Sequence, residues 1–296
     1  MRKTIPRREM GDLDQCIVTL RNRSDAILVN ACRPVRCPHC KSRKFIGFGF
    51  GPTGIKRYCC KDCGKTFSAV TNSLLDSRKI SVSEWVKYAF RIIRAVKTGL
   101  YNPYAEPRGI QEYWDIFAAA LKAYDSAIRF SQTCFLDTFD YVIPAEEEDS
   151  LSRNSERCMK INVLFGIMAG TGDMGICCSL APVEESIRCH VAMGATLAHN
   201  QEFVSGEVIQ SLHLQEKRWS KEQLESICGT ESPLYDLADL HKEWTSFLDK
   251  NSLMLGYDPK LALNLLSLFA NEQAAPLDHA MLLLKIALRV PKSFSD

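Results

Sequence analysis

Cys37-Pro-His-Cys40 and, with nineteen residues between, Cys60-Lys-Asp-Cys63-Gly64-Lys-Thr-Phe67 decide how this chain reads. Each CxxC can close a tight turn that presents two thiolates to one tetrahedral ion. Two such turns complete a four-cysteine zinc site of Cys37, Cys40, Cys60 and Cys63. Cys59 adjoins the second motif, but Cys59 with Cys63 would be CxxxC, so Cys60 is the expected ligand. His39 lies inside the first turn and reads as exposed rather than ligating. Four thiolates leave no open position for a substrate, so the Zn²⁺ is expected to supply folding energy, not catalysis.

Outward from the cysteines, residues 33–75 hold glycines and alternating aromatics, the composition of short strands joined by turns. Phe45, Phe48, Phe50, Tyr58 and Phe67 interleave with cations, and about half of these rings are expected to form a small core. Arg43, Lys44, Lys56, Arg57, Lys61 and Lys65 are the expected DNA contacts, because phosphate binding needs cations on a rigid presenter. Residues 1–32 read as a basic arm. Over residues 1–97 there are 21 Lys+Arg against 7 Asp+Glu, a balance of +14. The remaining residues hold 16 against 28, a balance of −12, although the whole chain carries only +2. A basic third on an acidic body points to a polyanion-binding module.

A helix is expected from Ser81-Val-Ser-Glu84, which has capping-box spacing, with Ser81 or Ser83 as cap, to a stop at Gly99. A second helix is expected over 110–130, making 76–130 a helical linker and DNA-binding region. Strands are expected over 134–139, 160–168, 174–180 and 195–198, with a helix over 182–193 and mainly helix from 202 onward. That order is an α/β sheet layered with helices over 131–296. The 296 residues are 46% hydrophobic and 24% charged, a globular balance. No run approaches ~18 apolar residues, so no membrane partner is expected. Seven of the 13 cysteines fall in the first 63 residues, which reads as intracellular metal binding before disulfides. The other six, Cys134, Cys158, Cys177, Cys178, Cys189 and Cys228, lack ligand spacing and read mostly as buried hydrophobes.

Cys-Pro-His-Cys at 37–40, Gly-Ile-Lys-Arg-Tyr at 54–58 and Cys-Lys-Asp-Cys-Gly-Lys-Thr-Phe at 60–67 resemble the N-terminal zinc ribbon of bacterial insertion-sequence transposases. The resemblance implies a DDE-type catalytic domain with an RNase H-like fold. Thr133-Cys-Phe-Leu-Asp137 resembles that family's first catalytic strand, with Thr138 where Glu usually follows the Asp. Leu151-Ser-Arg-Asn154 resembles the signature before the second strand. Ala195-Thr-Leu-Ala-His-Asn-Gln-Glu202 resembles the strand of the second catalytic Asp, with Asn200 at that position. Ser232-Pro-Leu-Tyr235 and Phe247-Leu248 resemble the last catalytic helix, with Ala238 and Thr245 where the family has Asn and Lys. Residues 258–269 resemble the penultimate helix.

DDE chemistry needs carboxylates that hold two Mg²⁺ ions at the scissile phosphate. Asp137 supplies one, whereas Asn200 is neutral and a poor ligand for so hard a cation. Asp239 and Glu243 stand near the third position and share a helix face, although surface acids are the commoner reading of that pattern. The expectation is therefore a double-stranded-DNA-binding, nucleoid-associated cytoplasmic protein with a degraded cleavage centre, which recognises element terminal repeats and leaves self-association open. Its competitors are an active transposase that binds Mg²⁺ through rearranged acids and a zinc-ribbon protein-interaction module. Gly170-Thr-Gly-Asp-Met-Gly175 matches GxGxxG, but a strand follows it rather than a helix, so it reads as a hairpin turn. Residues 146–149 read as a solvated acidic loop, and His241 as a packing or surface residue.

Overall fold

The computed structural model describes residues 7–76, 80–106, 109–143, 157–180, 182–199, 204–218 and 237–294. The chain is mixed α/β and forms two compact units. One gathers Met1–Ile93, Arg108–Ala120 and Pro276–Asp296, the other Arg94–Pro107 and Leu121–Ala275.

In the first unit, helix α1 (Arg7–Asn30) occupies the stretch read as a basic arm. It buries Ala26 and Val29, three residues apart on one face. Its last side chain fixes the next turn. Asn30 Nδ2 donates to the Gly54 carbonyl at 3.0 Å, and Asn30 Oδ1 accepts from the Lys56 N–H at 2.7 Å. Strands β1 (Phe45–Phe50), β2 (Lys56–Cys60) and β3 (Thr66–Phe67) form an antiparallel sheet in that order.

Helix α2 (Val82–Thr98) starts as the capping box predicts, with the Glu84 N–H donating to Ser81 Oγ at 3.4 Å. Asp25 on α1 completes the cap. Its Oδ1 accepts from Ser81 Oγ and from the Ser83 N–H, both at 2.8 Å. Trp85, Ala89 and Ile92 are fully buried along one stripe of α2, and Trp85 Nε1 donates to the Tyr113 carbonyl on α3 (Gln111–Ala127). The C-terminal segment returns to this unit. The Leu74 N–H donates to carbonyls of Ala287 and Val290, and Ser73 bridges Pro291.

The second unit holds a five-stranded sheet of β4 (Phe130–Ile143), β5 (Arg157–Met168), β6 (Met174–Ser179), β7 (Thr196–His199) and β8 (Gln215–Arg218). Its spatial order is β6-β5-β4-β7-β8. The pairs β4–β5 and β5–β6 are antiparallel, whereas β4–β7 and β7–β8 are parallel. The β5–β6 connection is a short turn with φ of +89° at Gly170 and +76° at Gly172, which accounts for GxGxxG without a nucleotide.

The parallel pairs are joined through helices α4 (Val183–His190) and α5 (Gly206–Ser211), as parallel strands require. Cys134, Leu136, Leu164, Ile187, Leu197 and Val208 form the core on one face of this sheet. Helices α6 (Leu237–Lys250), α7 (Ser252–Tyr257) and α8 (Pro259–Asn271) follow, and α9 (Pro276–Ala287) belongs to the first unit. Asn271 of α8 hydrogen-bonds both the N–H and the carbonyl of Ile176 at 2.7 Å, and Ser267 Oγ accepts from the Cys178 N–H. These bonds cover the outer edge of β6.

The expected strands and the three helices expected before residue 202 are present with ends shifted by a few residues. Strand β8 is the exception, since helix was expected from 202 onward. Gln215-Glu-Lys-Arg218 is exposed at every position, so no apolar alternation marked it as a strand.

Candidate metal centre and nucleic-acid interface

The two CxxC turns have the same backbone. Lys41 N–H donates to the Cys37 carbonyl at 2.9 Å, and Gly64 N–H to the Cys60 carbonyl at 3.0 Å. Cys37 N–H reaches Ser42 O, as Cys60 N–H reaches Lys65 O. The residue after each second cysteine is left-handed, with φ of +63° at Lys41 and +69° at Gly64. Ser42 Oγ donates to the Asp62 carboxylate and ties one turn to the other. The sequence reading did not single out this clasp, because Ser42 lies outside the CxxC pattern and Asp62 fills one of its unspecified positions.

These turns bring Cys37, Cys40, Cys60 and Cys63 into one group, close enough to hold a metal ion. Cys37 Sγ lies 3.8 Å from Cys63 Sγ, and Cys40 Sγ lies 3.5 Å from Cys60 Sγ. A tetrahedral ion with sulfurs at ~2.3 Å separates them by about 3.8 Å, whereas a disulfide would hold them at ~2.05 Å. The spacing therefore fits shared ligation and excludes a bond between either pair. The backbone N–H of Cys63, then that of Asp62, brings the Cys60 thiol down to about 6 although burial opposes it. At Cys40 the Ser42 N–H is the largest influence and lowers the thiol. Burial and the neighbouring cysteines outweigh it, raising Cys40 to about 12. Of these thiols Cys60 is the one biased toward thiolate, and a cation would counter the rise at Cys40 and Cys63.

Pleating selects the ligand in β2. Tyr58 and Cys60 face inward, whereas Cys59 faces the other way and is partly exposed, outside the sulfur group. His39 is exposed and also outside it. Phe45, Tyr58 and Phe67 pack on the cysteines with ring centroids 5.4–5.7 Å apart. Phe48 and Phe50 stay out, with 52% and 66% of their surface exposed. The rings therefore divide into three that form the core and two that face solvent.

Arg43, Lys44, Lys56, Lys61 and Lys65 are exposed, and Arg57 is half-buried. The Arg57 guanidinium lies 5.6 Å from the Phe48 ring centre and donates to Thr66 Oγ1. Lys56 Nζ lies 5.8 Å from the Tyr58 ring centre. Lys56 and Arg57 thus sit on β2, with Arg57 beside the exposed Phe48 ring, whereas Arg43, Lys44, Lys61 and Lys65 lie in the turns that flank the strands.

In the second unit, Asp137 is buried on the central strand β4, opposite Val163. It lies within the strand rather than at its end, since β4 runs on to Ile143 beside β5. Among the described residues, pairing with β7 reaches Leu136 and His199, one residue before Asp137. His199 is fully buried, and its Nε2 lies 3.0 Å from Glu216 Oε1 on β8. Alternation along β4 turns Asp137 to the face opposite that of Leu136 and His199.

Asn200, 146–149, 151–154 and 232–235 lie outside the described residues, as do the side chains of Ala238, Asp239 and His241. Glu243 and Thr245 are exposed on α6. Glu243 lines a cavity with Ile176, Trp244, Phe247, Leu266 and Phe269, to which Asp137 does not contribute. Among the described residues, Asp137 joins no group of three potential metal ligands. Of the six cysteines expected mostly to be buried, Cys134, Cys177 and Cys178 are buried, whereas Cys158 and Cys189 are exposed. Cys228 lies outside the described residues.

No protein-family model matches the sequence, and no curated protein matches it. No described helix is long and apolar enough to cross a membrane.

Proposed function

We propose that this is a metal-stabilised DNA-binding protein. More particularly, we read it as a relative of insertion-sequence transposases: a zinc ribbon attached to an RNase H-like body without efficient strand transfer. The observation that carries the reading is the four-sulfur group, with two sulfur pairs at tetrahedral spacing, held among turns and strands that bear exposed cations and the exposed rings of Phe48 and Phe50. Zn²⁺ suits four thiolates and lends so small a core its folding energy. With the cysteines fixed, Arg43, Lys44, Lys56, Arg57, Lys61 and Lys65 offer cations to phosphates, and exposed Phe48 and Phe50 offer apolar contact to sugars or bases.

The mixed sheet supports the RNase H-like reading. Asp137 lies on its central strand, one residue beyond Leu136, which pairs in parallel with His199 of β7. A full cleavage centre would bring further carboxylates to Asp137, and the described side chains bring none into a three-ligand group with it. Among the described side chains, Mg²⁺ would therefore find fewer than three protein ligands at Asp137, where the chemistry needs several. The active-transposase reading draws on the burial of Asp137 on that strand and requires acids supplied by residues such as Asp239.

Fluorescence anisotropy of a labelled DNA duplex tests the proposal. The zinc-loaded full chain is expected to bind at low salt, and Lys44→Ala, Lys61→Ala and Lys65→Ala combined are expected to weaken binding by ~10-fold or more. A folded, zinc-loaded chain that leaves the duplex free, or a triple variant that binds like wild type, refutes this interface.

A further inference from the structure

A second cluster of potential ligands lies in the other unit. Asp125 stands in the last turn of α3, Cys177 in the middle of β6 and His190 at the end of α4. Their carboxylate, thiol and imidazole atoms all lie within 4.8 Å of one another. Cys177 Sγ is 3.3 Å from Asp125 Oδ1, and His190 Nε2 is 3.7 Å from Asp125 Oδ2. Cys177 and His190 are buried, and the Asp125 side chain keeps 18% of its surface as an opening to solvent.

The imidazole decides how the cluster reads. His190 Nδ1 lies 3.1 Å from the Ile128 carbonyl, which can only accept, so Nδ1 carries a proton. In the neutral ring Nε2 then turns its lone pair toward a carboxylate oxygen. Two electron-rich atoms face each other in a buried site, an arrangement that calls for a cation between them. A proton on Nε2 would suit a hydrogen bond of ~2.7–3.2 Å, which 3.7 Å exceeds. Nitrogen at ~2.0–2.1 Å and oxygen at ~2.0–2.2 Å from one tetrahedral ion stand about 3.4 Å apart, and sulfur and oxygen about 3.6 Å. The two observed separations run to different oxygens of the Asp125 carboxylate, and each lies within about 0.3 Å of the value for its pair. The Nδ1–H bond to a backbone carbonyl is also the support that metal-bound histidines usually have.

We propose that Asp125, Cys177 and His190 form a second metal site, for a borderline-soft divalent ion of the zinc type. One thiol, one imidazole and one carboxylate suit Zn²⁺ better than Mg²⁺ or Ca²⁺, which prefer oxygen throughout. Without metal, the Cys177 thiol donates to Asp125, and burial first, then the Asp125 charge, holds it well above its ordinary range. On binding, the thiol proton leaves to solvent and the S–metal bond takes its place. Three protein donors leave a fourth position for water on the Asp125 side. The ion would staple an edge strand to the ends of two helices, and this proposal does not depend on the DNA-binding reading.

Metal analysis of the full chain, loaded with zinc and freed of excess by gel filtration, tests it. About two zinc ions per chain are expected. Cys177→Ala and His190→Ala are each expected to lower this to about one, lost from the second unit alone. A wild-type content of one, or two ions retained in both variants, overturns the site. Titration of the metal-free wild type with Co²⁺ avoids reliance on variants that fold poorly. The first equivalent is expected to give intense charge-transfer absorption from four thiolates. The second should add a weaker band from a single thiolate. A second equivalent that adds no thiolate band overturns the proposal.

Discussion

Cys59 and Cys60 are neighbours in sequence and opposites in the fold. One step of the β2 pleat sends Cys60 into the sulfur group and Cys59 to the other face, with its Sγ 3.6 Å from the Gly64 carbonyl. Cys60→Ser is expected to lose the ribbon zinc and unfold the three-stranded sheet. Cys59→Ser should leave the zinc content of the full chain unchanged. Zinc analysis that found the metal kept in Cys60→Ser and lost in Cys59→Ser would falsify the ligand assignment. Position 200 carries the other residue-scale prediction. On the proposed transposase reading, the wild type should show little nicking of duplex DNA with Mg²⁺ or Mn²⁺, because Asn200 would stand where that family has a charged oxygen. Robust cleavage that Asp137→Ala abolishes would instead establish the active transposase. Activity confined to Asn200→Asp would mark that substitution as the decayed step. The four clustered cysteines were legible because ligand chemistry writes itself into sequence as identity and spacing. The Asp125–Cys177–His190 group was not, since its members stand 52 and 13 residues apart on three elements. Only the fold makes them neighbours.

At the scale of elements, local signals were readable where the backbone needs a particular side chain. The Gly99 stop and the glycines between β5 and β6 each answer a local demand of the chain and were placed from sequence, as was the helix cap to within Ser81 or Ser83. Helix α1 and strand β8 carry no such demand. The apolar residues of α1 are spread round the helix, with Ile17, Leu20 and Ile27 exposed and only part of the buried face apolar. Strand β8 gains its form from pairing with β7, a tertiary cause that its own residues do not encode. The paired CxxC turns offer a test at this scale. Gly64 adopts φ of +69°, and no atom lies within 4 Å of where a Cβ would stand, so a side chain there would meet strain but no clash. Gly64→Ala should therefore cost about 1 kcal/mol, through the left-handed backbone alone. That loss would appear as roughly five-fold weaker zinc binding in a chelator competition. Gly64→Asn should recover part of the affinity, because Asn tolerates this conformation better than Ala. Equal affinities for Gly64→Ala and wild type would mean that the turn does not set the metal geometry.

For the whole molecule, the charge asymmetry read along the sequence persists when the chain is divided by its folded units. The first unit has 23 basic and 11 acidic side chains, a balance of +12, and the second has 14 and 24, a balance of −10. The C-terminal segment joins the basic unit and contributes Lys285, Arg289 and Lys292 to it. Cutting the chain at residue 97 would therefore divide a compact unit, and substitutions in the full chain are the cleaner test. DNA affinity is expected to fall steeply with salt, because each neutralised phosphate releases a counterion. If all six candidate cations touch phosphates, log K against log salt should fall with a slope of about −5. Lys61→Ala with Lys65→Ala should make the slope shallower by about 2, alongside the loss of affinity. Lys160→Ala with Lys260→Ala removes two exposed cations from the acidic unit and should leave both slope and affinity unchanged. The two double variants change net charge equally, so a difference between them reports location rather than total charge. Equal slopes in those variants would place the phosphates elsewhere and remove the basic sheet as the DNA-binding surface.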